Sequence, residues 1–229
     1  MTYCVSGIHG CYQEFAQLLK EINFSEDDIL YVLGDFIDRG HESLECIEFI
    51  RRTPNIIALM GNHEVLMLDF FLNPGDSTFQ NWMSNGGHIL MSQIEDISRE
   101  DESHADKIIN WMRALPLYLE VHVNGTDFFL SHAGIDMTES PENRDYSYVW
   151  SREEFFTNPG IEGKFHIFGH TPTPSIRKTN DCSIWYDDTH RDKICIDCGC
   201  VFGGRLAALR LDDMKVFYVK PKRALNQFK

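Results

Sequence analysis

Ile29-Leu30-Tyr31-Val32-Leu33-Gly34-Asp35-Phe36-Ile37-Asp38-Arg39-Gly40 is the stretch on which the reading of this chain turns. A short apolar run that ends at a glycine reads as a buried strand, and Leu44 to Ile50 then resumes at helical spacing. The charged residues fall between the two, where a strand empties into a loop. The same grammar recurs on either side. Tyr3-Cys4-Val5 leads into Ser6-Gly7-Ile8-His9-Gly10 and then into Tyr12 to Ile22, with Phe15, Leu18, Leu19 and Ile22 on one face. Ile56 to Leu59 leads into Gly61-Asn62-His63-Glu64 and then Val65 to Leu72. This β-α-β-α-β-α order predicts an α/β fold with a largely parallel sheet, helices on its faces, and ligands gathered at the loops leaving the strands' carboxyl ends.

Beyond this unit, Asn73 to Leu115 is polar and helix-leaning, interrupted at Asn85-Gly86-Gly87, and is expected to cover one side of the site. Leu117 to Val123 and Asp127 to Leu130 flank Asn124-Gly125, the signal of a hairpin with a tight two-residue turn. Further strand-like runs are Phe165 to Phe168, Lys193 to Ile196, Leu206 to Leu211 and Val216 to Val219, from which a second sheet packed against the first is expected. With 229 residues, 43% apolar, and neither a repeat nor a linker, the chain is read as one domain over 1–229. Thirty-five acidic against 21 basic side chains give a formal charge of −14, which disfavours nucleic acid and anionic membranes as partners. No basic segment precedes an apolar run with a cleavage site near the N-terminus, and no long apolar stretch occurs, so a soluble, cytoplasmic protein is expected. Seven dispersed cysteines suit reduced thiols.

The chemistry-bearing residues concentrate in five loops, each after a strand-like run: Ser6 to Gly10, Gly34 to Gly40, Gly61 to Glu64, Ser131-His132-Ala133-Gly134, and Phe168-Gly169-His170-Thr171. Imidazole, carboxylate and amide oxygen together suit a hard or borderline divalent cation. A carboxylate such as Asp35 can bridge two such ions about 3.5–4 Å apart, the spacing that serves displacement at phosphorus.

The order and content of these loops resemble the phosphoprotein phosphatase type of calcineurin-like metallophosphoesterases. Their pattern is Asp-x-His-Gly, then Gly-Asp-x-x-Asp-Arg-Gly, then Gly-Asn-His-Glu. Trp82 to Gly87, Trp150-Ser151-Arg152, Gly169-His170-Thr171-Pro172, and Ile196-Asp197 with Gly203-Gly204 are similar to the compact bacterial and phage members, including the diadenosine tetraphosphate hydrolases. The resemblance implies a fold of two packed mixed sheets flanked by helices, and two divalent cations. Manganese is the favoured ion, and iron and zinc also suit the donors. It implies that His9 binds the first ion, Asp35 bridges both, and Asn62, His132 and His170 complete the second. His63 is the implied general acid, oriented by Asp38; Arg39 and Arg152, with Asn62 and His63, hold the phosphate; the implied nucleophile is a metal-bound hydroxide.

One position departs from the pattern. Gly7 stands where the family has its first aspartate, so the first cation is expected to lose a carboxylate and be held weakly, with turnover impaired and the fold intact, a defect that Gly7→Asp tests. The Ser6 hydroxyl, on the opposite side of an extended strand, is not expected to substitute. His41 replaces a usual proline and has no derivable role. Each motif also has a plainer reading. Asp35, Asp38 and Gly40 alone could form a strand-to-helix turn. Arg152 could open a solvated helix, and Glu64 is expected to orient its helix and loop. His88, His104, His122, His166 and His190 are read as surface or packing residues, and Cys195, Cys198 and Cys200 as strand and turn residues in preference to a zinc or redox site. Three functions follow: a serine/threonine protein phosphatase with tyrosine or small phosphate esters as side substrates, a dinucleotide polyphosphate hydrolase, or a silent phosphate-binding homologue.

Overall fold

The computed structural model describes residues 1–140 and 143–221. β1 (Thr2–Val5), α1 (Tyr12–Glu21), β2 (Ile29–Val32), α2 (Ser43–Arg52), β3 (Ile56–Ala58) and α3 (Asn62–Leu72) reproduce the alternation read from the sequence. β1, β2 and β3 pair in parallel, with Cys4 opposite Tyr31 and Tyr31 opposite Ile57. Two late strands, β9 (Leu206–Arg210) and β10 (Lys215–Val219), return to this first sheet antiparallel, giving the order β10-β9-β1-β2-β3. The second sheet has the order β4-β5-β6-β8-β7, from β4 (Tyr118–Val123), β5 (Thr126–Ser131), β6 (Phe165–Phe168), β7 (Trp185–Tyr186) and β8 (Lys193–Cys195). Both sheets are therefore mixed.

Strand alternation divides the core. On the first sheet Tyr3, Val5, Leu30, Val32 and Ala208 face the helices, against Phe15 and Leu18 of α1 and Ile47 and Ile50 of α2. Cys4, Tyr31, Leu33 and Leu209 face the other way and meet Phe128, Leu130, Ile167 and Ile194 of the second sheet. Each fully buried Leu or Ile in that seam contributes about 1.5–3 kcal/mol through removal of its surface from water. The seam fixes the two sheets face to face, and so brings the carboxyl ends of β1, β2, β3, β5, β6 and β8 to one rim.

The hairpin between β4 and β5 turns as expected, with both Asn124 (φ 49°) and Gly125 (φ 82°) in the left-handed region. The polar middle folds as α4 (Asp76–Ser84), α5 (His88–Glu100) and α6 (Glu102–Arg113), broken at Asn85 to Gly87. It does cover the site: the Gly86 carbonyl accepts the backbone N–H of Arg39. α8 (Glu153–Thr157) opens directly after Arg152, as that residue's plainer reading had it, whereas two short helices were not anticipated, α7 (Asp145–Trp150) and α9 (Thr173–Arg177), because five or six residues are too few to display a 3.6-residue period. Among the described residues no helix is long and apolar enough to cross a membrane.

Candidate metal centre

Among the described residues, His9, Asp35, Asp38, Arg39 and His170 account for five of the ten non-glycine residues with positive φ. Such a conformation costs each of them on the order of 1 kcal/mol or more and persists because the packed strands behind leave the loops no alternative. The strain turns polar side chains back over the sheet rim.

Asp35 is the hub. Its Oδ2 lies 3.4 Å from His9 Nε2 and its Oδ1 lies 3.3 Å from His132 Nε2, so the two oxygens face different imidazoles. Asn62 Oδ1 sits 3.0 Å from His132 Nε2 and 2.8 Å from His170 Nδ1, and those two ring nitrogens are 3.1 Å apart. Two clusters thus share Asp35: His9, Asp35 and His63, and Asp35, His132 and His170. All five residues to which the resemblance gives metals, His9, Asp35, Asn62, His132 and His170, are buried and converge.

The proton inventory shows what these clusters suit. His132 Nδ1 donates to the Leu33 carbonyl at 2.8 Å, and His9 Nδ1 donates to the Ile37 carbonyl at 3.0 Å. A carbonyl only accepts, so a neutral ring must then present Nε2 as a lone pair. Burial, above all, holds His9, His132 and His170 below the ordinary imidazole value, with Arg39 adding to the effect at His9 and His132 at His170. In the second cluster the His132 lone pair therefore points at two oxygen acceptors. Acceptors crowded this closely in a buried site are satisfied by a cation among them. In the first cluster Arg39 Nη1 donates to His9 Nε2 at 2.6 Å, placing a positive charge at the lone pair that a cation would use. The donor sets fit divalent cations at both places.

His63 stands beside them with its ring centroid 4.7 Å from that of His9. Its Nδ1 donates to Asp38 Oδ2 at 2.7 Å, and its Nε2 is buried without a partner. Trp82 Nε1 donates to both oxygens of Asp38 at 3.1 Å. Burial raises the Asp38 carboxyl against the opposing pull of these donors. Glu64 is fully buried. Its Oε2 accepts the N–H groups of Asp35 and Gly61, both at 2.9 Å, and its Oε1 accepts that of Phe36 at 3.0 Å, so it clamps two loops together.

Arg152 is exposed on the rim and donates to Thr171 Oγ1 at 2.9 Å, one residue from His170. Arg39 lies over the Phe202 ring at 5.1 Å. The Ser6 hydroxyl donates to the Leu33 carbonyl at 3.2 Å. Sequence reasoning gave Trp82 and Asp197 no role at this centre. Trp82 carries only the apolar signal of a packed helix. Asp197, buried just beyond β8, has its carboxyl pushed up to about 6, by burial first and then by the charge of Asp35. The remaining histidines find structural partners: His104 with Glu48, His122 with Asp127, His166 with Ser131, and His190 with the Thr157 carbonyl, while His88 lies exposed. Neither cluster includes a cysteine.

Residues 2–204 match the family model described as calcineurin-like phosphoesterase. Serine/threonine-protein phosphatase 1 of Salmonella typhimurium is 31% identical over 216 residues, 92% of this chain and 91% of that protein. The symmetrical bis(5'-nucleosyl)-tetraphosphatase of Aromatoleum aromaticum is 25% identical over 286 residues, 99% of each. Among solved structures, a metallophosphoesterase from Sphaerobacter thermophilus superposes with a TM-score of 0.54 over 96% of this chain and 87% of that one, at 17% identity, a likeness of fold.

Proposed function

Since this chain belongs to the calcineurin-like phosphoesterase family, we propose that it is a serine/threonine protein phosphatase that also accepts small phosphate monoesters. The observation that carries the chemistry is the division of Asp35, one oxygen toward His9 and the other toward His132. The protein-phosphatase reading is favoured by identity along the whole chain: the phosphatase relative is 31% identical over 91% of its length, and the tetraphosphatase matched over 99% of its length is 25% identical. Alongside Arg39 lies an open cavity of about 520 Å³, bordered by His41, Asn85, His88 and Phe202, which suits a substrate extending away from its phosphate.

Two divalent cations, manganese by family likeness, would be held by His9 and Asp35 at the first place and by Asp35, Asn62, His132 and His170 at the second. When bound they supply an acidified water and neutralise charge on the phosphoryl group. The chain's own residues do the rest. His63 Nε2, free of any protein partner, donates a proton to the departing ester oxygen; Asp38 keeps the proton on Nδ1 and fixes the ring, and Trp82 fixes Asp38. Arg152 grips non-bridging oxygens from the rim. Arg39 exchanges its bond to His9 for the phosphate, a planar fork matched to two oxygens.

The test is a panel of phosphoserine and phosphothreonine peptides, p-nitrophenyl phosphate and diadenosine tetraphosphate, assayed with added manganese. Highest kcat/KM on the phosphopeptides is expected. Preference for the dinucleotide would reassign the substrate class, and turnover of none with retained phosphate binding would make the chain a silent homologue.

A further inference from the structure

Arg39 is held on three sides. Its backbone N–H donates to the Gly86 carbonyl at 3.2 Å, and a Cβ built on Gly86 would meet its Cγ at 2.9 Å, so the loop before α5 lies against its stem. At the tip, Nη1 donates to His9 Nε2 at 2.6 Å. The third side is the Phe202 ring, whose centroid lies 5.1 Å from the guanidinium carbon. A guanidinium has two separate surfaces to offer. Its face is drawn to the electron-rich face of an aromatic ring, whereas its five N–H groups point outward along the edge, so stacking leaves that edge free for an anion. Phe202 is itself firmly mounted. It ends a 3₁₀ turn, Cys200–Phe202, in which Cys200 and Val201 are buried; the Phe202 N–H donates to the Gly199 carbonyl and the Gly203 N–H to the Cys200 carbonyl, both at 3.0 Å. The ring also borders two cavities, the one of about 520 Å³ that holds His41 and His88 and another of about 310 Å³ that holds Lys178 and Gly203.

We propose that Phe202 is a positioning residue for phosphate binding: its ring fixes the plane of the Arg39 guanidinium, so that the edge facing His9 is presented to phosphate oxygens without a search through rotamers. This rests on the reading above of Arg39 as a phosphate ligand. Of the three contacts, the one to Gly86 secures only the stem, and the one to His9 is given up when phosphate arrives. The ring is the contact that persists at the tip through that exchange, and it lowers the entropy lost when a long, many-rotamer side chain is immobilised on its ligand. Standing between two cavities, the ring is also placed to touch the remainder of a substrate; inorganic phosphate, which has no remainder, separates the two roles.

The readout is calorimetric titration of inorganic phosphate into the Mn²⁺-loaded protein, with thermal melting as the check on folding. Phe202→Leu keeps an apolar side chain and removes the aromatic face. It is expected to raise the phosphate Kd about three- to thirtyfold, whereas Phe202→Tyr, which keeps the face, stays within about twofold of the parent. In an Arg39→Met background, Phe202→Leu should shift the Kd by less than about twofold, because the ring acts through the guanidinium. Equal weakening by Phe202→Leu with and without Arg39, or weakening by Phe202→Tyr as large as by Phe202→Leu, overturns the proposal. Should Phe202→Leu unfold, Phe202→Met carries the same expectations. Arg39→Met alone separates the levels. If it binds phosphate as tightly as the parent, the reading of Arg39 as a phosphate ligand fails; if it weakens binding while Phe202→Leu does not, only the role of Phe202 fails.

Discussion

Glu64→Gln isolates the clamp that holds the two central loops in register. The parent side chain accepts three buried backbone N–H groups: those of Asp35 and Gly61 at Oε2 and that of Phe36 at Oε1. Glutamine is nearly isosteric, and with its amide oxygen in place of Oε2 it preserves two of these bonds. Its NH2 must then face the Phe36 N–H, donor against donor. One buried donor is left unmet, which costs about 1–3 kcal/mol. For a chain of this size each kcal/mol lowers Tm by roughly 2–4 °C, so a fall of about 2–12 °C is expected. The same loss loosens the peptide that carries Asp35, and groups that support metal-site residues commonly account for about 10–100-fold in affinity. Urea unfolding with an unchanged m-value gives the stability change, and Mn²⁺ titration gives the second effect. Stability within about 0.5 kcal/mol of the parent, with unaltered Mn²⁺ affinity, would refute the clamp.

Other expectations are independent of that clamp. His63→Asn should lower kcat about 10²–10⁴-fold on substrates with poor leaving groups and far less on p-nitrophenyl phosphate, with Mn²⁺ binding retained; equal losses on both would exclude a proton-donor role. His166, bonded to Ser131 and held down to about 3 by burial and then by Lys193, is neutral in the fold but titrates at about 6.5 when unfolded. Its contribution to stability is complete above pH 6.5 and declines by roughly 1 kcal/mol per unit as pH falls toward 3, and His166→Gln should flatten that slope in pH-dependent urea melts. Gly125→Ala should cost about 1 kcal/mol by thermal melting, since nothing lies within 4 Å of the added Cβ and only the positive φ opposes it.

Much of this molecule was legible in one dimension because its first third obeys two periods in strict alternation. Ile29 to Leu33 reads as a buried strand, and Asp35 to Arg39 could only be the loop beyond it. The hairpin at Asn124-Gly125 was equally plain, since both residues tolerate positive φ. Less could be read where partners are distant in sequence. Nothing in Leu206 to Leu211 says that it pairs antiparallel with β1 and not with the second sheet. Trp82 looks like a core residue from its neighbours, yet its indole N–H braces Asp38 from 44 positions away. Asp197 was visible as part of a motif, but its contact with the space beside Gly7 depends on two sheets meeting at one rim.

The most direct test is anomalous diffraction from crystals grown or soaked with Mn²⁺. Two peaks should appear about 3.5–4 Å apart on either side of the Asp35 carboxylate, one toward His9 and one among Asn62, His132 and His170. Absence of both peaks from that rim, or manganese bound only elsewhere on the molecule, would contradict a catalytic cation pair assembled there.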